Sequence, residues 1–301
     1  MSPDPEKVEV DVEGRSLVLT NLTKVLYPEA GFTKGAVIDY YLRIAPVLLP
    51  HIAARPLTLK RYPDGITGQH FYHKHAPDHR PGWMRTERLP APGSTSGRDW
   101  VRYVIAGDLP TLIWTANLAG LELHTPMWRL PHRAEPDLLV FDLDPGAPAT
   151  IVECCAVAQL LRPLLAEEGF EAFAKTSGGK GLQLLAPVSG LSSDEASAIA
   201  RGLAERLERE LPRHVVSRMT RSLRPGKVLI DWSQNNAHKT TIAPYSLRAR
   251  SQPTVSTPVT WDEVAACTRR EDLVFTSGEV LDRVAEHGDL LAPLVAGPPA
   301  P

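Results

Sequence analysis

At 301 residues, 43% hydrophobic and 23% charged, the chain has the make-up of an ordinary globular protein, long enough for one large core or two modest ones. A net charge of −2 excludes a protein that coats nucleic acid indiscriminately through bulk positive charge. No apolar run approaches a membrane span, and the start MSPDPEKVEV lacks the basic-then-apolar order of a signal peptide, so a cytoplasmic location is expected. Cys154 and Cys155 are neighbours and Cys267 is distant, a pattern that fits neither a disulfide framework nor a metal site.

In chain order, residues 1–7 read as a disordered lead, and Val8 to Leu19 alternates around Glu13-Gly14 as a β-hairpin. Thr33 is a plausible N-cap for a helix carrying Val37, Tyr40, Tyr41, Ile44 and Leu48 on one face, kinked or ended by Pro46. Leu57 to Tyr62 predicts a strand. His70, His73, His75 and His79 follow, and they raise a zinc site whose spacing does not settle on one face. Trp83 to Leu89 and Trp100 to Ile105 predict strands on either side of a solvated turn at 90–99. Leu109 to Leu118 reads as a short helix and Leu121 to His124 as a strand.

The stretch DLLVFDLDPG, Asp137 to Gly146, is the centre of the pattern. An apolar run of strand formers ends in Asp142 and Asp144, which share a face of the strand about 7 Å apart. Two such carboxylates repel, and a divalent cation is the natural partner, although a strand ending in a solvated acidic turn would read alike. An amphipathic helix is expected over Ile151 to Glu168 and a strand over Phe170 to Lys175. In KTSGGKG, residues 175–181, the glycines let backbone N–H groups approach an oxyanion, while Ser177 and Lys180 complete a phosphate site; a simple hairpin turn is the other reading. A helix capped at Ser192 or Ser193 follows. Val228 to Asp231 then repeats the form of a buried strand ending in a carboxylate, and Ser233, Gln234, Asn235 and Asn236 make a polar turn. Beyond Thr260 come a short helical segment and a helix over Glu279 to Glu286. The chain closes with a disordered tail at 293–301, leaving one catalytic domain at 8–292.

Charge is segregated along the chain. Between Arg213 and Arg250 lie eight Lys or Arg residues and one acid, Asp231. From Arg43 to Arg85 there are seven against Asp64 and Asp78, interleaved with Tyr62, Phe71, Tyr72 and Trp83, a mixture suited to stacking bases and binding phosphates.

Together, TNLTKVLYPEAGFTKG, LKRYPDG, LELH, VFDLDPG, KTSGGKGLQL and RPGKVLIDWSQNNAHKTTIAPYSLRAR resemble the polymerase domain of bacterial ligase D-type end-joining ligases, in the archaeo-eukaryotic primase superfamily. The likeness runs from about Leu19 to Pro258, and with no room for a ligase or phosphoesterase module it suggests a stand-alone polymerase. It implies an α/β (α+β) primase-polymerase fold, with two β-sheet modules flanked by helices around a central catalytic cleft. The implied chemistry is nucleotidyl transfer from NTP or dNTP substrates, preferably ribonucleotides, using two Mn²⁺ or Mg²⁺ ions held by Asp142, Asp144 and Asp231. By the same resemblance Lys60, His124, Ser177, Lys180, Arg224, Gln234 and Arg248 contact the nucleotide, and Phe71 and Tyr72 stack on its base. Asn21, Lys24 and Lys34 match a pocket for a 5′-phosphate on DNA. The implied partners are DNA with gaps or broken ends and end-joining proteins of the Ku and ligase types, with no membrane, a monomeric state and a place at the nucleoid. Gln183 stands where the family usually has histidine, and His73 where a glutamate is expected. Two other classes stay open: a DNA-end-binding module with weak or no catalysis, and a two-metal nuclease.

Overall fold

The computed structural model describes residues 7–91 and 99–296. Most of the expected turn at 90–99, all but the last residue of the expected lead and residues 297–301 of the expected tail lie outside them.

Strands β1 (Lys7–Val12) and β2 (Arg15–Thr20) form the expected hairpin, with Glu13 and Gly14 both at positive φ as a tight right-twisted turn requires. β3 (Val25–Tyr27) and β4 (Phe32–Thr33) make a small ribbon. The Thr33 hydroxyl accepts from the Ala36 N–H and starts α1 (Lys34–Ile52). Pro46 does not end this helix: both Pro46 and Pro50 lie inside it. Tyr40, Tyr41, Ile44, Leu48 and Ile52 are all buried along one face, and that tertiary burial outweighs the hydrogen bonds the prolines forfeit.

The chain continues through β5 (Pro56–Arg61), β6 (Phe71–His73), β7 (Thr86–Pro90), β8 (Trp100–Ile105), α2 (Leu109–Asn117) and β9 (Gly120–Thr125). Then follow β10 (Leu138–Pro145), α3 (Ile151–Glu167), β11 (Phe173–Thr176), β12 (Leu182–Pro187), α4 (Ser193–Glu210), β13 (Val215–Val216) and β14 (Val228–Asp231). β15 (Thr241–Ile242), β16 (Pro258–Val259), α5 (Trp261–Ala266), α6 (Ser277–His287) and α7 (Pro293–Ala296) complete it. Trp83 is not in a strand; it follows a Pro81-Gly82 turn and lies under the Arg15 guanidinium. Lys7 already pairs with Thr20, and Leu294 on α7 is buried, so ordered chain extends past both ends of the expected 8–292 span.

Two larger sheets result, as expected. One has the order β13-β14-β10-β12-β11-β16, the other β15-β9-β5-β8-β7 with β6 also on β5. In the first, Leu139, Phe141 and Leu143 of β10 point into a core with α3 and α4, while Val140 on the opposite face packs with Met127, Leu185, Leu291 and Leu294. Alternation then sends Asp142 and Asp144 to the opposite face from that first core. A buried clamp ties the sheets: Arg55, before β5, donates to Asp137, before β10, at 2.6 Å, and Arg129 donates to the same oxygen at 2.7 Å.

Candidate active site

A single row across the first sheet carries the site. In register, Asp231 of β14 faces Asp142 of β10, Asp142 faces Gln183 of β12, and Gln183 faces Lys175 of β11. Burial, and then the nearby Asp144 carboxylate, push Asp142 up to about 7; the Gln183 amide, donating to Asp142 Oδ1 at 3.0 Å, opposes this. Burial also raises Asp144, against the pull of Lys180. Asp231 turns both oxygens onto its own turn: Ser233 donates to Oδ1 through its backbone N–H and hydroxyl, and Gln234 to Oδ2 at 2.9 Å.

The glycine loop sits against these carboxylates. Ser177 Oγ accepts from the N–H groups of Gly179 (3.3 Å) and Gly181 (3.1 Å), closing the turn on itself. A side chain on Gly181 would collide with the Leu143 carbonyl beside Asp144. Gly178 adopts φ +64°, and a Cβ there would lie 2.6 Å from Arg248 Cγ. Arg248 thereby bridges the sheets, because its guanidinium also faces Glu122 of β9 at 3.5 Å. Its Nε, ion-paired with Glu122 but making no hydrogen bond, and the Nε of Arg224 are both buried, so an anion reaching either guanidinium would complete its hydrogen bonding.

The second sheet supplies the opposite wall. Lys60 of β5 lies across from Glu122, and Thr58 across from His124. Burial alone would raise Glu122, but the His124 hydrogen bond at 3.0 Å and the charges of Arg248, His124 and Lys60 hold it at about 2. Burial lowers His124, against the Glu122 bond. Phe71 and Tyr72 project from β6 with 47% and 64% of their surfaces exposed, and the Lys60 ammonium sits 5.5 Å from the Tyr72 ring centre. A cavity of about 820 Å³ opens beside Tyr72; Lys74, Arg133, Lys239, Tyr103 and Trp128 line it and no carboxylate does.

The structure therefore gathers Lys60, His124, Ser177, Lys180, Arg248, Asp142, Asp144 and Asp231 around one cleft. Gln234 is engaged with Asp231, and Arg224 donates to the Met219 carbonyl at 2.7 Å while its charge reaches Asp144. Asn21, Lys24 and Lys34 form a separate group at the β3–β4 ribbon. Asn21 takes a positive φ, Lys24 pairs with Asp64 at 2.8 Å, and Lys34 Nζ donates to the Thr20 carbonyl at 2.6 Å. Burial, then Lys24 and Arg61, bring Lys34 down to about 8.

The four histidines make no zinc site: His70 stacks on Tyr62, His75 lies against Trp100, His79 against Trp114, and His73 meets Arg61 at 3.1 Å. Among the described residues no three His, Cys, Asp or Glu side chains stand as a ready-made cage. The three aspartates nevertheless fit a hard divalent cation in chemistry. They are oxygen donors on adjacent strands, and burial together with neighbouring carboxylates raises Asp142 and Asp144, a penalty that a divalent cation would offset. Glu122, Lys175 and Ser256 escape a reading by motif. Glu122 belongs to a four-residue strand fragment with no spacing signal, and Lys175 and Ser256 meet only through the sheet.

Acidic strand ends beside a glycine loop with Lys180, facing Lys60 and His124 of a second sheet, have the make-up of a nucleotidyltransferase of the primase-polymerase type. The sequence model of the LigD primase-polymerase domain matches residues 33–291, and the chain belongs to that family. It is 46% identical over 284 residues to the "Multifunctional non-homologous end joining protein LigD" of Mycolicibacterium smegmatis, covering 93% of this chain and 36% of that protein. The Bacillus subtilis "Bifunctional non-homologous end joining protein LigD" is 30% identical over 90% of this chain and 43% of its own. The chain thus spans less than half the length of these curated relatives. A solved structure, "Polymerase Domain from Mycobacterium tuberculosis Ligase D in complex with DNA", matches with a TM-score of 0.86 at 41% identity, covering 94% of this chain and 99% of that one.

Proposed function

We propose that this chain adds nucleotides, preferably ribonucleotides, to 3′ ends at gaps and double-strand breaks, working as one catalytic unit on DNA in the bacterial nucleoid. The observation that carries this is the juxtaposition of the Asp142–Asp231 row with Ser177 and Lys180 in the loop beside it and with Arg248, which meets Gly178 on one side and Glu122 of the second sheet on the other. Asp142, Asp144 and Asp231 would hold Mn²⁺ or Mg²⁺, which supplies Lewis acidity to the attacking hydroxyl and the phosphoryl oxygens when bound. Lys180 and Arg248 bind the triphosphate, Lys60 neutralises it from the second sheet, and His124 lies where a sugar hydroxyl can meet its ring. Phe71 and Tyr72 offer exposed faces for bases. The carboxylate-free cavity beside Tyr72 suits a DNA strand, and Asn21, Lys24 and Lys34 suit a 5′-phosphate. Ku-type and ligase partners accord with the end-joining names of the relatives, and a monomer suffices for every residue used.

Extension of a labelled primer on a gapped duplex with a downstream 5′-phosphate tests this, with Mn²⁺ and rNTPs or dNTPs. Template-directed extension lost in Asp142→Ala/Asp144→Ala is the expected result. Tight, phosphate-dependent binding by the intact protein without extension would favour an end-binding module, and degradation of the primer a nuclease.

A further inference from the structure

Lys175 is 1% exposed, Gln183 2% and Ser256 0%, and none touches the cleft directly. The Lys175 ammonium donates to Gln183 Oε1 at 2.5 Å and to Ser256 Oγ at 2.7 Å, and the Ser256 hydroxyl donates onward to the Thr176 carbonyl at 2.9 Å. Gln183 Nε2 in turn donates to Asp142 Oδ1 at 3.0 Å. An ammonium has donors and no acceptor, so it fixes which end of the Gln183 amide faces it. The other end is then obliged to be the NH₂ group, aimed at Asp142. Without Lys175 the amide is held at one end only, by Asp142, and its carbonyl end loses the partner that fixes the position of the whole side chain.

We propose that Lys175 is a positioning residue that acts through Gln183 to hold the Asp142 carboxylate in place and aimed for a divalent cation. The inference rests on the reading of Asp142 as a cation ligand given above. Placing a neutral amide between ammonium and carboxylate has a chemical point. A direct Lys–Asp ion pair would occupy the oxygens the cation needs, whereas the interposed amide takes one lone pair of Oδ1 and leaves the rest. The only cost is a buried ammonium, which burial brings down to about 7.

The test is a double-mutant cycle on the full chain with Lys175→Met, which keeps the length and removes the donors, and Gln183→Leu, which removes the coupler. Three quantities are read: Mn²⁺ binding to the nucleotide-free protein by calorimetry, melting temperature, and kcat against KM for the nucleotide. Lys175→Met is expected to weaken Mn²⁺ binding about tenfold or more, the usual toll of losing a partner behind a metal ligand, and to lower kcat with KM within about twofold. In the Gln183→Leu background the same substitution should change Mn²⁺ affinity by less than about twofold, since its route is already cut. A lower melting temperature with unchanged Mn²⁺ affinity and kcat would overturn the proposal, as would equal losses in both backgrounds. If Lys175→Met does not fold, Ser256→Ala decides: with native melting behaviour it should weaken Mn²⁺ binding measurably, and wild-type binding refutes the idea. Wild-type protein that binds no Mn²⁺ would bring down the cation reading itself, a result distinct from any of these.

Discussion

Glu122→Gln removes one charge from the wall of the cleft while keeping the side chain's shape. The carboxyl is held at about 2 in the folded chain against an ordinary value of 4.5, because the His124 bond and the charges of Arg248, His124 and Lys60 override its burial. A group depressed in this way adds stability that is complete above pH 4.5 and is lost as the pH falls through about 2. The gap corresponds to about 3 kcal/mol at neutral pH. Glu122 is 3% exposed, so solvent screening takes little from that figure. Urea denaturation of both proteins between pH 7 and pH 3 reads the effect as a difference, in which the protein's other carboxylates cancel. The wild type should be more stable by about 3 kcal/mol at pH 7 and by about half that at pH 3. A difference that does not vary with pH would refute the reasoning and assign the loss to packing.

Gly178→Ala forces a Cβ onto a backbone at φ +64° and to within 2.6 Å of Arg248 Cγ and the Val255 carbonyl carbon. Denaturation should show a loss of about 2 kcal/mol or more, and steady-state kinetics a rise of about tenfold in nucleotide KM as Arg248 is displaced from the loop. Lys24→Ala breaks an exposed pair with Asp64, so stability should stay within about 1 kcal/mol. Fluorescence anisotropy with gapped DNA should nonetheless show the preference for a 5′-phosphate over a 5′-hydroxyl end falling about tenfold. Because Lys34 sits at about 8 and is charged only below it, the same preference should weaken in the wild type as the pH rises through 8.

Much of this was legible in local pattern. The alternation of Val8 to Leu19, the caps at Thr33 and Ser192, and the apolar run into Asp142 and Asp144 each state their structure within a few residues, where propensity and side-chain direction act. Pro46 shows the limit: a local rule predicted a break, and burial of α1 against β9 and Tyr245 overrode it, with Tyr41 donating to the Leu121 carbonyl and Tyr40 to that of Tyr245. The His-rich segment misled in the opposite direction, because spacing cannot show that each ring packs against a different partner.

By itself the sequence determined which residues carry charge, which strands end in carboxylates and where glycine must bend the backbone, since those follow from side-chain chemistry and nearest neighbours. Only the tertiary structure decided that Asp231 lies across from Asp142, that Arg248 spans Gly178 and Glu122, and that Lys175 reaches Asp142 through Gln183. Apart from the Lys175–Gln183 contact, eight positions long, those pairings join residues 41 to 126 positions apart, counting from Asp142 to Gln183 and from Glu122 to Arg248. Strand register and sheet order set them, and both are products of the whole core's packing, which no short stretch of sequence contains.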